Sequence, residues 1–118
     1  MHLKLDRLEK LCQGDPDRKL KYLKQLLEIV PKGMERLQIH LETKDRRALR
    51  RAIHYLAPQL SFFGIPDFAL ILQMEDSQFD NLPFEELKSK LKESISRIGL
   101  ALAEAEQLAQ SLKNTSNP

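Results

Sequence analysis

Apolar residues recur at steps of three and four along most of the chain, which is the spacing of one face of an α-helix. The longest run starts after Asp15, Pro16 and Asp17, residues that suit a helix cap and first turn. Pro31 falls inside this run, so we expect either one kinked helix or two helices joined near residue 31. The apolar positions of the run are Leu20, Leu23, Leu27, Val30, Met34, Leu37 and Leu41.

Thr43 and Asp45 predict the start of a second long helix, and Gly64 predicts its end. Ile65 and Pro66 follow the glycine, and this order of glycine, apolar residue and proline is a helix stop signal. The predicted core stripe of this helix consists of Leu49, Ile53, Leu56, Leu60 and Phe63.

The rest of the chain adds shorter helices and one further long one. An N-terminal run of leucines predicts a short helix that ends near Gly14. Pro66 and Asp67 predict the start of another short helix, and the polar residues 75–82 predict a loop. Pro83 predicts the start of the longest helix. Its apolar positions include Leu87, Leu91, Ile95, Ile98, Leu102, Ala105, Leu108 and Leu112.

No segment alternates polar and apolar residues as a strand does. The pattern predicts an all-α protein folded as an antiparallel four-helix bundle with a short extra N-terminal helix. We assign residues 1–113 to the bundle and the polar residues 114–118 to a disordered tail.

Composition limits the classes of function. The 118 residues carry a net charge of +2, too small to indicate a nucleic-acid partner. Cys12 is the only cysteine, which excludes an intramolecular disulfide and favours a cytoplasmic location. The histidines and the cysteine lack metal-site spacing, and no apolar run is long enough for a membrane span, so we expect neither metal nor membrane contact.

His54 lies on the second long helix but points away from its predicted core. A helix turns by about 100° per residue, which places His54 about 140° from the centre of the core stripe. We therefore expect an exposed imidazole, whereas Tyr55 and Phe62 are expected to pack against neighbouring helices. The face around His54 carries short side chains on one side and arginines on the other, namely Arg47, Arg50, Arg51, Ala57, Pro58 and Ser61.

These surroundings make His54 the candidate for chemistry. Short neighbours let a partner approach the ring, and arginines suit a phosphoryl group. Pro58 lacks the N–H that would bond the carbonyl of His54. His2 and His40 have no such surroundings, and we interpret them as ordinary surface residues.

Residues 49–64, LRRAIHYLAPQLSFFG, resemble the signature of histidine-containing phosphotransfer (HPt) domains. In that family, leucine follows the histidine at +2, lysine at +3, usually glycine at +4, and a second glycine at about +10. His54, Leu56 and Gly64 match this pattern. The similarity covers most of residues 3–112.

Two positions depart from the family pattern. Ala57 replaces the lysine that is thought to neutralise the phosphoryl group, and Pro58 replaces the glycine. Arg50 and Arg51 lie one turn before the histidine, on its face, so we expect one of them to substitute for the lysine.

The resemblance implies a phosphorelay intermediate that accepts and donates a phosphoryl group on His54, through Nε2. Its partners would be receiver domains of response regulators or hybrid histidine kinases, which would supply the Mg²⁺. The chain has no nucleotide-binding loop, so we expect no cofactor of its own and no independent kinase activity. We expect a monomer. The residues expected to contact the phosphoryl group or the partner are Arg47, Arg50, Arg51, Ala57, Pro58, Ser61 and Gly64.

Other interpretations stay open. A pseudo-HPt module would dock receivers without phosphotransfer, and Ala57 favours it. The dimerisation helix of a sensor histidine kinase also carries a histidine before a proline, but an acidic residue usually follows that histidine, where this chain has Tyr55. Such a helix would form an obligate dimer, which a molar-mass measurement would detect. A plain helical interaction domain is the remaining alternative.

Overall fold

The computed structural model of the chain describes residues 2–65 and 68–116. These residues contain no strand, so the predicted all-α class is confirmed, and the packing is compatible with a helical bundle. The predicted helix start at Pro66 and Asp67 lies outside the described residues. The helices are α1 (Asp6–Cys12), α2 (Pro16–Glu42), α3 (Arg46–Phe62), α4 (Ala69–Leu72), α5 (Asp76–Asn81) and α6 (Phe84–Ser116).

The helix α2 runs unbroken for 27 residues. The Asp15 carboxylate caps it by accepting a hydrogen bond from the Asp17 N–H at 3.0 Å, and Pro16 occupies the first turn, where no N–H partner is needed. Pro31 lies inside the helix. Two separate helices joined near residue 31 are therefore excluded, and the predicted single helix through this proline is confirmed, while its kink stays a prediction.

The helix α3 has well-formed ends. The Asp45 carboxylate accepts a hydrogen bond from the Ala48 N–H at 3.1 Å, which caps the start. At the other end the N–H of Ile65 donates to the carbonyl of Leu60 at 2.8 Å, and Gly64 takes a φ of 74°. This Schellman-type end needs a left-handed residue, which glycine adopts without a steric penalty. The predicted stop signal therefore ends the helix as expected.

The core forms where α2 packs against both α3 and α6, with α1 also against α2. The predicted stripe of α3 is fully buried, which leaves the opposite face of that helix outside the core. Phe62 is half-buried and its ring centroid lies 6.1 Å from that of Tyr22 on α2, as predicted for Phe62. The buried residues of the stripe are Leu49, Ile53, Leu56, Leu60 and Phe63.

Residues 75–82 are not the loop that their polarity predicts. Asp76–Asn81 form the short helix α5, and Phe79 is only 1% exposed. The side-chain oxygen of Gln78 accepts a hydrogen bond from the Glu75 N–H at 3.1 Å, which stabilises the first turn. One buried aromatic residue thus anchors a segment whose other residues, apart from the half-buried Leu82, are exposed.

The helix α6 has 33 residues and continues to Ser116, three residues beyond the predicted bundle boundary at residue 113. At a rise of about 1.5 Å per residue it spans about 50 Å, close to the longest dimension of the molecule, 55 Å. Within the described residues, no helix combines the length and the apolar character that crossing a membrane requires.

Candidate functional site

His54 lies near the middle of α3 and its side chain is exposed, as the helical geometry predicts. Its neighbour Ile53 and the following Leu56 are completely buried, so they hold this turn of the helix against the core. The backbone under the imidazole is therefore fixed by packing while the ring itself faces solvent.

Pro58 lies inside α3, four residues after His54, and the helix nevertheless continues to Phe62. Because proline has no N–H, the carbonyl of His54 lacks its usual helical hydrogen bond. Pro58 is exposed, so water can reach this part of the helix. The interruption in the hydrogen-bond ladder thus lies next to the candidate histidine.

His54 lines one end of an open cleft of about 290 Å³ between α3 and α5. Arginines of α3 form one wall, and α5 supplies two carboxylates and an aromatic ring. Sequence reasoning did not place α5 beside the histidine, because nothing in the local pattern of residues 75–82 indicates a contact with α3. The lining residues are Arg46, Arg47, Arg50, Arg51, His54, Asp76, Phe79 and Asp80.

Two of the four arginines hold the neighbouring segment in place. Arg46 Nη1 donates a hydrogen bond to the carbonyl of Phe79 at 2.9 Å. Arg50 Nη2 donates to the carbonyl of Met74 at 2.9 Å, and its Nη1 lies 2.9 Å from Asp76 Oδ1. The guanidinium carbon of Arg50 also lies 5.1 Å from the ring centroid of Phe79, within cation–π range. Both side chains are thus already engaged.

The other two arginines, Arg47 and Arg51, are exposed. Neither side chain makes a hydrogen bond or ion pair with any residue in the described ranges 2–65 and 68–116. The arginines that look equivalent in the sequence therefore divide into an engaged pair, Arg46 and Arg50, and a free pair, Arg47 and Arg51.

The remaining predicted site residues lie towards the other end of α3 and do not line the cleft. Ala57 is half-buried, whereas Pro58 and Ser61 are exposed. Gly64 lies beyond the helix, where a Cβ would collide with the side chain of Lys4. Its position is explained by the helix end and by this close approach, so it is separate from the chemistry of the cleft.

The prediction that Tyr55 packs against a neighbouring helix is wrong, because this residue is 59% exposed. It borders a second groove, of about 340 Å³, on the other side of α3. The floor of this groove is made of small residues, and Arg51 lines both the groove and the cleft. The lining residues are Gly33, Arg36, His40, Ala48, Arg51, Ala52 and Tyr55.

Among the described residues, no three histidine, cysteine or acidic side chains come together in a way that could hold a metal ion. Asp76 and Asp80 are the carboxylates of the cleft, and Asp76 is already paired with Arg50. The cleft as a whole is therefore rich in positive charge and suited to an anionic ligand.

Comparison with known proteins identifies no relative: no protein-family model, no curated protein and no solved structure matches this chain. The resemblance to HPt domains accordingly rests on residues 49–64 and on the helical pattern. The function must be argued from the site.

Proposed function

We propose that the protein is a phosphocarrier, which accepts a phosphoryl group on His54 from a receiver-domain aspartate and passes it to another. The observation that carries this proposal is an exposed imidazole at the edge of a cleft rich in arginine. An exposed histidine is a nucleophile near neutral pH, and guanidinium groups match phosphoryl oxygens in charge and geometry.

The transfer is an in-line displacement at phosphorus. The lone pair of His54 Nε2 forms the N–P bond while the P–O bond to the aspartate breaks. The aspartate carboxylate leaves with the electron pair of the broken P–O bond, and the proton on Nδ1 stays on the ring. The reverse step returns the phosphoryl group to a second aspartate. Charge stabilisation at the acyl phosphate comes largely from the receiver and its Mg²⁺. This chain contributes a nucleophile held at a defined position.

The architecture that suits this role is an antiparallel four-helix bundle in which α1 is the short extra helix. The packing of α2 against both α3 and α6 supports this arrangement. A bundle with short connections needs no moving part to carry a phosphoryl group, since both partners dock on the same exposed face of α3. We propose that the protein acts as a monomer in the cytoplasm, where receiver domains are found.

The alternative is a pseudo-HPt module that docks receivers without accepting phosphate. The half-buried Ala57 supports this alternative, because it offers no charge where the family has lysine. The two functions differ in one measurable respect, which is whether His54 becomes covalently phosphorylated.

The test is incubation with phosphorylated receiver domains and Mg²⁺, followed by detection of acid-labile phosphate on the protein. We expect the wild type to be labelled and the His54→Gln variant not to be labelled, because the glutamine amide is not a nucleophile of comparable strength. His40→Gln is the matched control, since His40 lies on α2 and outside the cleft.

Two results would contradict the proposal. Equal labelling of the wild type and His54→Gln would place the phosphoryl group elsewhere. Absence of labelling with every receiver, combined with measurable binding to one of them, would support the pseudo-HPt alternative.

A further inference from the structure

The free arginine pair, Arg47 and Arg51, has no function in the fold that the contacts explain. The two guanidinium groups carry like charges four residues apart on one helix, an arrangement that is unfavourable unless an anion lies between them. Their neighbours Arg46 and Arg50 do have structural partners. The free pair is therefore available to bind an anion beside His54.

We propose that Arg47 and Arg51 form an oxyanion subsite that holds the phosphoryl group of His54, and that Arg50 takes no direct part. This inference rests on the proposed function, because the group to be held is the one that His54 carries. It decides between the two arginines that the sequence offers as substitutes for the missing lysine.

Helix geometry supports this assignment. Positions four and three residues apart lie on one face, so Arg47, Arg51 and His54 fall within about 60° of one another around the axis of α3. All three line the same cleft. A phosphoryl group on the ring has three terminal oxygens, and two guanidinium groups can donate hydrogen bonds to them from the side facing the start of the helix.

The contacts of Arg50 argue against its participation. Its side chain is only 19% exposed, and its guanidinium already donates to Met74 and Asp76 while stacking on Phe79. Turning it towards His54 would leave the carbonyl of Met74 without this donor and would expose one face of the aromatic ring. Arg51 can move without any such loss.

The charges facing the pair also favour an anion. Asp76 is compensated by Arg50, and Arg46 adds a positive charge at the same wall. Asp80, exposed on α5, is the one other carboxylate among the residues lining the cleft. Positive charge therefore remains in excess, and it lies on the helix that carries the histidine. The missing charge at Ala57, one turn after His54, is replaced by charge one turn before it.

Chemical phosphorylation tests the subsite without a receiver. In phosphoramidate, the imidazole nitrogen attacks phosphorus, the P–N bond to the amine breaks, and ammonia leaves with the ring proton. We expect the rate at which phosphoramidate phosphorylates His54 to fall about tenfold in Arg51→Ala, because charge-assisted hydrogen bonds are lost. The rate should fall further in the double variant with Arg47→Ala. Arg51→Lys should recover part of the rate, and orthophosphate should inhibit the wild type more strongly than Arg51→Ala.

The controls separate charge from structure. Arg18→Ala removes the same charge from an exposed position on α2. This position lies about 22 Å along the helix axis from Gly33, the residue of α2 that lies against Leu56 of α3. The variant should leave the phosphorylation rate unchanged. Arg50→Ala should lower the rate less than Arg51→Ala. An equal loss of phosphorylation rate in Arg50→Ala and Arg51→Ala, with unchanged helix content, would overturn the assignment. Stronger inhibition by a short oligonucleotide than by orthophosphate, at equal phosphate concentration, would overturn it as well.

The outcome is independent of the relay assay. The subsite would be refuted if receivers phosphorylate His54 but the rate with phosphoramidate is unchanged by substitution of Arg47 and Arg51. The proposed function would then still stand. An arginine-dependent rate without transfer from any receiver would support the subsite and refute the relay.

Discussion

At the scale of single residues, Gly33 determines how α2 and α3 meet. A Cβ at this position would collide with the end of the Leu56 side chain, which is completely buried. Gly99 on α6 presents the opposite situation, because a Cβ there would meet nothing within 4 Å. The two mid-helix glycines therefore allow the cost of close packing to be separated from the cost of glycine in a helix.

We expect Gly33→Ala to lower the free energy of unfolding by about 1 kcal/mol, because overpacking of about 1–3 kcal/mol exceeds the gain in helix propensity. Gly99→Ala should raise it by about 0.5–1 kcal/mol, since only the propensity changes. Urea denaturation measures both. A stabilised Gly33→Ala variant would mean that Leu56 has more freedom than its burial indicates.

At the scale of elements, α5 is held to α3 by a small number of directed contacts. The buried Phe79 supplies the apolar contact, and Arg46 and Arg50 donate to carbonyls of Phe79 and Met74. The ion pair of Arg50 with Asp76 contributes less, because the Asp76 side chain is 90% exposed. The wall of the cleft opposite His54 therefore depends on two arginines of the same helix.

Hydrogen exchange measures how firmly α5 is held. We expect amide exchange in residues 76–81 to become about ten times faster in Arg46→Ala, because a charge-assisted hydrogen bond to a half-buried backbone carbonyl is lost. Arg47→Ala is the matched control, because the Arg47 side chain makes no hydrogen bond or ion pair with residues 76–81. Exchange in this variant should stay unchanged. Equal rates in all three proteins would show that the hydrogen bond from Arg46 does not help to hold α5.

At the scale of the whole molecule, the N-terminal segment connects the end of α3 to the second half of α6. The Lys4 N–H donates to the carbonyl of Phe63 at 2.9 Å, next to the end of α3. The N–H groups of His2 and Leu3 donate to the carboxylate of Glu104 on α6, at 2.8 and 3.2 Å. These bonds stabilise the charged form and hold the pKa of Glu104 below its ordinary value of 4.5.

This lowered pKa predicts a pH dependence with a definite sign. Because the folded pKa of Glu104 is below the unfolded one, its contribution to stability is present above the unfolded pKa and is lost as the pH falls through the folded pKa. Glu104→Gln should therefore be less stable than the wild type at neutral pH, and the difference should vanish in acid. Thermal melts across this range test it, with the exposed Glu106→Gln on the same helix as control.

Local sequence was sufficient for the helices that have a strong apolar period and clear end signals. The stripe of α3, the cap at Asp45 and the stop at Gly64 are set by interactions within a few residues of the chain. The exposure of His54 follows from the same geometry, since a residue about 140° from the core stripe of a helix faces away from its partner. The all-α class and the candidate histidine thus follow from local sequence.

The surroundings of that histidine depend on contacts between elements that are far apart in the sequence. Residues 76–81 form a helix because Phe79 is buried and because Arg46 and Arg50 donate to the carbonyls of Phe79 and Met74. Tyr55 is exposed because it borders an open groove between α2 and α3. The division of the four arginines into an engaged and a free pair depends on contacts between residues more than twenty positions apart. Helical periodicity gives no information on such contacts, since it fixes which residues share a face and not which element that face meets.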